Sequence, residues 1–131
     1  MLRQIFAVLT GFAVWTVLWL AGNAGLRAAN PGAFNEAGAT SETALLAVTL
    51  LMSVGFSLLA GFITATMSSQ NEMKPVAALA VIQVVIGILV EISYWNAIPV
   101  WYHITFILLL APAIIAGGRL AMGRKMRTAL V

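Results

Sequence analysis

One carboxylate lies inside an otherwise apolar stretch of the sequence, "AVIQVVIGILVEISYW" at residues 80–95. Gln83, Gly87 and Glu91 are spaced four apart, so a helix places all three on one face. A charged acidic side chain at the centre of a membrane helix costs about 2.5 to 3.5 kcal/mol, so we expect protein rather than lipid to cover this face. Glu91 is therefore the leading candidate for chemistry, because it can bind a proton, a cation or a cationic solute.

Three polar side chains from other parts of the chain are candidates to meet Glu91. The single histidine, His103, lies near the start of the last apolar run, and Asn23 and Arg27 lie near the end of the first. Together with Gln83, these residues predict one buried polar cluster. The sequence does not establish whether the first and third helices are neighbours.

Three interpretations of this cluster stay open from the residues alone. In the first, Glu91 is protonated, or paired with His103 or Arg27, and only holds helices together. In the second, Glu91 titrates and binds a proton or cation. In the third, His103 ligates the metal of a haem or chlorin, since a neutral imidazole in an apolar helix can do so.

Enzymatic chemistry has little basis in this sequence. It has no second carboxylate inside an apolar run, no nucleophile with an evident base, no metal-ligand spacing and no cysteine. We therefore predict that the protein is not an enzyme and holds no metal ion or other resident cofactor.

The composition places the chain in a membrane. Of its 131 residues, 62% are hydrophobic and 8% are charged, and the mean hydropathy is +1.01. Four apolar runs predict four helices at about residues 4–27, 43–67, 75–98 and 99–122. Each is about 36 Å long at about 1.5 Å per residue, enough to cross a hydrocarbon core of about 30 Å. The predicted fold is all-α, with a single four-helix transmembrane domain over residues 1–131.

The distribution of positive charge predicts the orientation. Six of the seven basic residues fall at one end of the predicted bundle, and only Arg27 falls at the other. Both termini are therefore expected to be cytoplasmic, in an antiparallel bundle of the bacterial inner (plasma) membrane. So few and so clustered charges argue against nucleic-acid binding. As an alternative, the first helix is a cleaved signal peptide, although its apolar stretch exceeds a usual h-region of about 7 to 15 residues.

Small side chains recur at every fourth position of helix two and again in helix four. Such stripes let two helices approach closely, which is what drives helix association in lipid. Two interpretations are open: packing within the bundle, or a face for a partner subunit or a second copy. The residues of these two stripes are Thr49, Ser53, Ser57, Gly61 and Ala65 in helix two, and Ala113, Gly117 and Ala121 in helix four.

The connections between helices differ in composition. Tyr94, Trp95, Trp101 and Tyr102 gather around the short third connection, where such rings are typical of anchors at the headgroup level. The long first connection, residues 27–42, has one aromatic residue and no ligand cluster, so we expect a plain connector that ends in an N-cap for helix two.

A four-helix chain of this length with an intramembrane glutamate invites comparison with the small multidrug resistance transporters. In that family the essential glutamate lies in the first helix, whereas helix one here, "IFAVLTGFAVWTVLWLAGNAG", has no acidic residue. The chain also lacks the asparagine and glycine signatures of the small fluoride channels.

The segment "IPVWYHITFILLLAPAIIAGGRLA", residues 98–121, resembles small bacterial four-helix integral membrane proteins of no characterised family. The likeness lies in its Pro-x-Trp start and its Gly-Gly-Arg-Leu end. It covers the last third of the chain, with weaker likeness before it, and implies no activity.

We expect an integral membrane interaction or accessory protein that packs through its small-residue faces against partner subunits or a second copy. The alternative is a small homo-oligomeric transporter or channel for a proton or cation that uses Glu91, since four helices barely enclose a solute path. A lesser alternative is pigment or haem contact through His103.

The orientation is testable with reporter fusions. A reporter fused after Val131 should be cytoplasmic, and one inserted beside Gly38 should be periplasmic, because the basic residues cluster at the end that holds both termini. Alkaline phosphatase and green fluorescent protein activities measure the two locations. Opposite signals from both fusions would overturn the orientation.

Overall fold

The computed structural model describes residues 1–68 and 73–130, and within them the chain forms four α-helices. These are α1 (Leu2–Ala29), α2 (Thr43–Met67), α3 (Lys74–Ser93) and α4 (Val100–Ala129). All four are long and apolar enough to cross a membrane. The predicted all-α fold with four membrane-spanning helices is confirmed at this level.

Two helix ends differ from the predicted bounds. α3 ends at Ser93 rather than at residue 98, and residues 94–98 form turns. Pro99 disfavours helical backbone at residue 98, so the helix cannot run on into α4. α4 continues past residue 122 to Ala129, because alanine, leucine, methionine, lysine and arginine in its last turns are all good helix formers.

The closest packing in the bundle is between α2 and α4. A Cβ atom added to Gly61 would lie 1.9 Å from the carbonyl oxygen of Ile114, and one added to Gly117 would lie 1.9 Å from the carbonyl oxygen of Leu58. All eight residues of the two predicted stripes are buried inside this one chain. Of the two interpretations of the stripes, the structure therefore uses packing within the bundle.

α1 packs against α2 through small residues and two hydrogen bonds. The Thr64 hydroxyl donates to the carbonyl oxygen of Ala7 at 3.3 Å, and the indole N–H of Trp15 donates to Ser57 Oγ at 3.0 Å. At the start of α1, Arg3 Nε donates to the carbonyl oxygen of Met67 at 2.9 Å, at the end of α2. The contacts thus join the first turns of α1 to the last turns of α2.

Large rings separate α1 from α4 in the other half of the bundle. α1 also contacts α3, but within the described residues its backbone does not approach that of α4. The two helices meet instead through Trp19 and Phe106, whose ring centroids lie 5.3 Å apart. This separation leaves a cavity between the helices.

The first connection folds over this half. We call this part of the molecule the loop end, because residues 30–42 and residues 94–99 meet there: Tyr94 Oη donates to the carbonyl oxygen of Ala37 at 3.2 Å. Ala39 and Thr40 are buried. Glu42 is the N-cap of α2 but makes no side-chain capping bond, and the Thr40 hydroxyl instead accepts a hydrogen bond from the Glu42 amide at 3.2 Å.

The contact between α2 and α4 predicts opposite effects for one substitution at two positions of α2. Gly61→Ala should destabilise the bundle by about 1 to 3 kcal/mol, because the new methyl group meets backbone that cannot move aside. Gly55→Ala is the matched control: no atom lies within 4 Å of its added Cβ, so the change should stabilise the helix by up to about 1 kcal/mol. Thermal melts in detergent measure both. Equal melting temperatures for the two variants would show that the contact between α2 and α4 does not stabilise the bundle.

Candidate functional site

The turn between α3 and α4 brings Glu91 and His103 together. Glu91 lies in the last turn of α3, two residues before Ser93, and His103 lies in the first turns of α4. The carboxylate is therefore about 3 Å below the end of its helix, whereas a helix that ended at residue 98, as predicted, would place it about 10 Å below. Glu91 is 4% exposed and His103 is fully buried, so protein covers the pair at this shallow position.

The hydrogen bonds of the pair fix how many protons it holds. His103 Nδ1 contacts Glu91 Oε2, and His103 Nε2 lies 3.1 Å from the carbonyl oxygen of Ile98. A carbonyl oxygen only accepts, so Nε2 carries a hydrogen. A hydrogen bond between Nδ1 and Oε2 then requires one further proton, on the imidazole or on the carboxyl group, and either arrangement leaves the pair without net charge.

An aromatic ring seals the pair on one side. The indole of Trp95 stacks on the imidazole of His103, with centroids 4.8 Å apart and planes at 14°. Trp95 itself is 45% exposed and Trp101 is 44% exposed, positions that suit the predicted interfacial anchors. The prediction that Tyr102 is an interfacial anchor is wrong. Tyr102 is 3% exposed and lies inside the bundle, because adjacent residues of a helix point about 100° apart, so Tyr102 does not share the exposed face of Trp101.

Glu91 also borders the cavity at the loop end. The cavity has a volume of about 350 Å³ and is lined by all four helices and by the first connection. Aromatic rings form part of its walls, and those of Trp15, Trp19, Phe106 and Tyr102 make a continuous row of contacts. The first connection contributes Phe34 and residues 38–40 to the wall, so it is more than the plain connector expected.

The structure assembles the predicted polar cluster only in part. Glu91, Gln83, Asn23 and Arg27 all line the cavity, and His103 lies behind Glu91. Asn23 Nδ2 donates to the carbonyl oxygen of Trp19 at 2.8 Å. The guanidinium group of Arg27 lies against Gly38. In the part of the chain that the structure describes, the ion pair of Glu91 is with His103 and not with Arg27.

Gln83 is the unusual member of the cavity wall. It is 2% exposed, and its amide nitrogen, Nε2, has no hydrogen-bond partner. The only other such buried side-chain atom in residues 1–68 and 73–130 is Ser53 Oγ, which does not line the cavity. Gln83 lies near the middle of α3, where an unpartnered donor inside a bilayer costs several kcal/mol. This amide is suited to an acceptor atom of a bound molecule.

Sequence reasoning missed the ring positions that shape the cavity. Trp15 and Trp19 are four residues apart and share a helix face, which is a signal for stacking. No pattern in the sequence indicates that Trp19 meets Phe106, because they belong to the first and last helices. The contact between the Ile98 carbonyl and His103 could not be predicted either, since backbone groups leave no pattern in the sequence.

The arrangement does not suit a haem or chlorin at His103. Both ring nitrogens are engaged within the chain, with Glu91 and with the Ile98 carbonyl, so metal ligation requires that one contact break. No group of three or more histidine, cysteine, aspartate or glutamate side chains in the described residues is placed to hold a metal ion.

Comparison of the chain with protein-family models, with curated proteins and with solved structures gave no match.

The shared proton predicts opposite pH dependence for the wild type and Glu91→Gln. Exposed glutamate and histidine together bind about one proton at about pH 5 and almost none at about pH 8. The folded pair keeps one proton, so the wild-type free energy of unfolding should fall over this range, by up to about 1.4 kcal/mol per pH unit. In Glu91→Gln, the amide donates to a neutral His103, the folded state binds no proton there, and stability should rise with pH.

Thermal melts in detergent at about pH 5, 6, 7 and 8 measure these slopes. Glu36→Gln is the control, because Glu36 lies in the exposed first connection, outside the cavity wall, and its loss should leave the wild-type slope unchanged. Parallel slopes for the wild type and Glu91→Gln would show that the pair does not hold the proton.

Proposed function

We propose that this protein is a membrane-embedded binding protein for a small solute, and that solute binding is linked to the proton shared by Glu91 and His103. One observation carries the proposal: a buried carboxylate contacts His103 on one side and borders a cavity of about 350 Å³ on the other. Burial of an ionisable pair beside a cavity is typical of functional sites in membrane helices.

The position of Glu91 supports the link between the two events. Loss of the shared proton leaves one negative charge in a water-poor site at the carboxyl end of α3, where the partial charge of the helix end is also negative. A solute that brings positive charge or a donor to Glu91 therefore favours release of the proton, and one that accepts a hydrogen bond favours its retention. By linkage, the proton then changes the affinity for the solute by the same factor.

The other ionisable groups on the cavity wall do not compete for this role. Arg27, Tyr94 and Tyr102 complete the set that lines the cavity with Glu91. Arginine keeps its charge and tyrosine stays neutral between about pH 5 and pH 8. We therefore assign proton exchange that accompanies solute binding to the pair of Glu91 and His103.

The charge distribution supports an orientation with the loop end outside and both termini in the cytoplasm of a bacterium, in the inner membrane. At the opposite end, Lys125 Nζ donates to the carbonyl oxygen of Ala65 at 2.5 Å, so one of the basic residues also stabilises the end of α2. In this orientation the pair exchanges its proton with the outer side.

Two other functions require features beyond this site. An accessory protein that binds partners through the small-residue stripes needs another surface, because those stripes are buried within the chain. A transporter or channel needs a path to the opposite end, and the residues that line this cavity belong to the loop-end half of the bundle. Both remain predictions.

Calorimetry with defined probes tests the proposal. We choose menadione, tetraphenylphosphonium and benzoate, which represent an uncharged carbonyl compound, a lipophilic cation and a weak acid. Titration in two buffers of different ionisation enthalpy, at pH values where the pair has lost part of its shared proton, gives the protons taken up or released per probe bound. At least one probe should bind the wild type and Glu36→Gln with proton exchange, and that exchange should vanish in Glu91→Gln. Absence of binding by all three, or the same proton count in Glu91→Gln, would overturn the proposal.

A further inference from the structure

Gln83, on the cavity wall, carries a buried hydrogen-bond donor without a partner. Its Nε2 has no partner among the described residues, and Arg27 lines the same cavity. Glu91 Oε2, on the same wall, contacts His103. An acceptor atom placed beside the Gln83 amide would satisfy this donor.

We propose that the cavity binds an uncharged, lipophilic, planar ring compound with a carbonyl oxygen, and that this oxygen accepts a hydrogen bond from Gln83 Nε2. This inference rests on the proposed function, because it names the class of solute for the same cavity. The hydrogen bond would satisfy the buried amide near the middle of α3.

The shape of the cavity favours a flat ring. Trp15 and Trp19 are stacked, with centroids 5.2 Å apart and planes at 18°, and Tyr102 and Phe106 lie 5.9 Å apart with planes at 23°. All four rings line the cavity. Aromatic walls of this kind bind another ring by offset or edge contacts worth about 0.5 to 1.5 kcal/mol each beyond the buried area.

The opening of the cavity favours a lipophilic compound. Leu20 on α1 and Val90 on α3 both line the cavity, and they are 65% and 41% exposed. Both lie on apolar outer surfaces of the bundle, so the cavity opens between α1 and α3 toward the region that lipid occupies. A compound dissolved in the bilayer can enter there without crossing water.

A cation fits the same walls less well. It requires Glu91 to give up the proton that it shares with His103, and it brings positive charge to a wall that already carries Arg27. It also leaves the Gln83 amide nitrogen without an acceptor. Cation–π attraction to the aromatic rings, worth about 0.5 to 2 kcal/mol, opposes these three costs but supplies no acceptor for the amide nitrogen.

Two probes with the same carbon skeleton test the acceptor directly. Menadione has two carbonyl oxygens on a flat ring pair, and 2-methylnaphthalene has the same skeleton without them. The chain has no cysteine, so menadione has no thiol to alkylate. In equilibrium dialysis against nanodiscs, with empty nanodiscs as the blank, menadione should bind the wild type at least roughly tenfold more tightly than 2-methylnaphthalene, and more tightly than tetraphenylphosphonium.

A matched pair of variants assigns the effect to Gln83. Gln83→Leu should weaken menadione binding by roughly tenfold and leave 2-methylnaphthalene within about twofold, because only the hydrogen bond is lost. Ser53→Ala removes the other unpartnered buried polar atom, away from the cavity, and should change neither affinity. The comparison of probes on the wild type needs no variant to fold.

The outcomes separate this inference from the proposed function. Equal binding of menadione and 2-methylnaphthalene, or an equal loss of both in Gln83→Leu, would overturn the carbonyl assignment. Tighter binding of tetraphenylphosphonium with Glu91-dependent proton release would also overturn it, while leaving proton-linked solute binding intact. Proton exchange that is the same in Glu91→Gln would overturn the proposed function, whichever probe binds.

Discussion

The close backbone contact between α2 and α4 is the constraint on which the rest of the bundle depends. Lipid supplies no hydrophobic force between helices, so packing distance and weak hydrogen bonds decide which helices associate. Gly61 and Gly117 let the two backbones touch the carbonyls of Ile114 and Leu58. With that pair fixed, α1 and α3 have only the flanks of α2 and α4 to pack against, and their own side chains set how closely they approach.

Those side chains divide the molecule into two halves of different character. In the half that holds the termini, Gly11 lets α1 pack closely on α2, and Gly118 lets α4 pack closely on α3. Added Cβ atoms there would meet Thr64 and Val76 within 3 Å. In the loop-end half, Trp19 and Phe106 keep α1 and α4 apart. The closely packed half that holds the termini stabilises the bundle, and this offsets the packing lost at the cavity in the loop-end half.

The sequence predicts the parts of this structure that follow from local pattern. Four apolar runs predict four helices, and the burial of Glu91 and Gln83 follows from their shared helix face. The sequence allows Glu91 to pair with either His103 or Arg27, because both can carry a positive charge. Only the tertiary structure shows that Glu91 contacts His103 and that Arg27 lies against Gly38. The cavity was not predicted at all, since it depends on which rings meet across helices that are far apart in sequence.

The early end of α3 shows how a helix boundary determines chemistry. Had α3 continued to residue 98, Glu91 would lie about two turns inside the helix, and the Ile98 carbonyl would be at the helix terminus rather than in a turn. Because Pro99 ends helical backbone before it, residues 94–98 turn back, and the Ile98 carbonyl comes within 3.1 Å of His103 Nε2. That carbonyl determines the position of the first hydrogen on the imidazole, and so leaves Nδ1 to share the second with Glu91. The hydrogen bonding of the imidazole thus depends on the turn between α3 and α4.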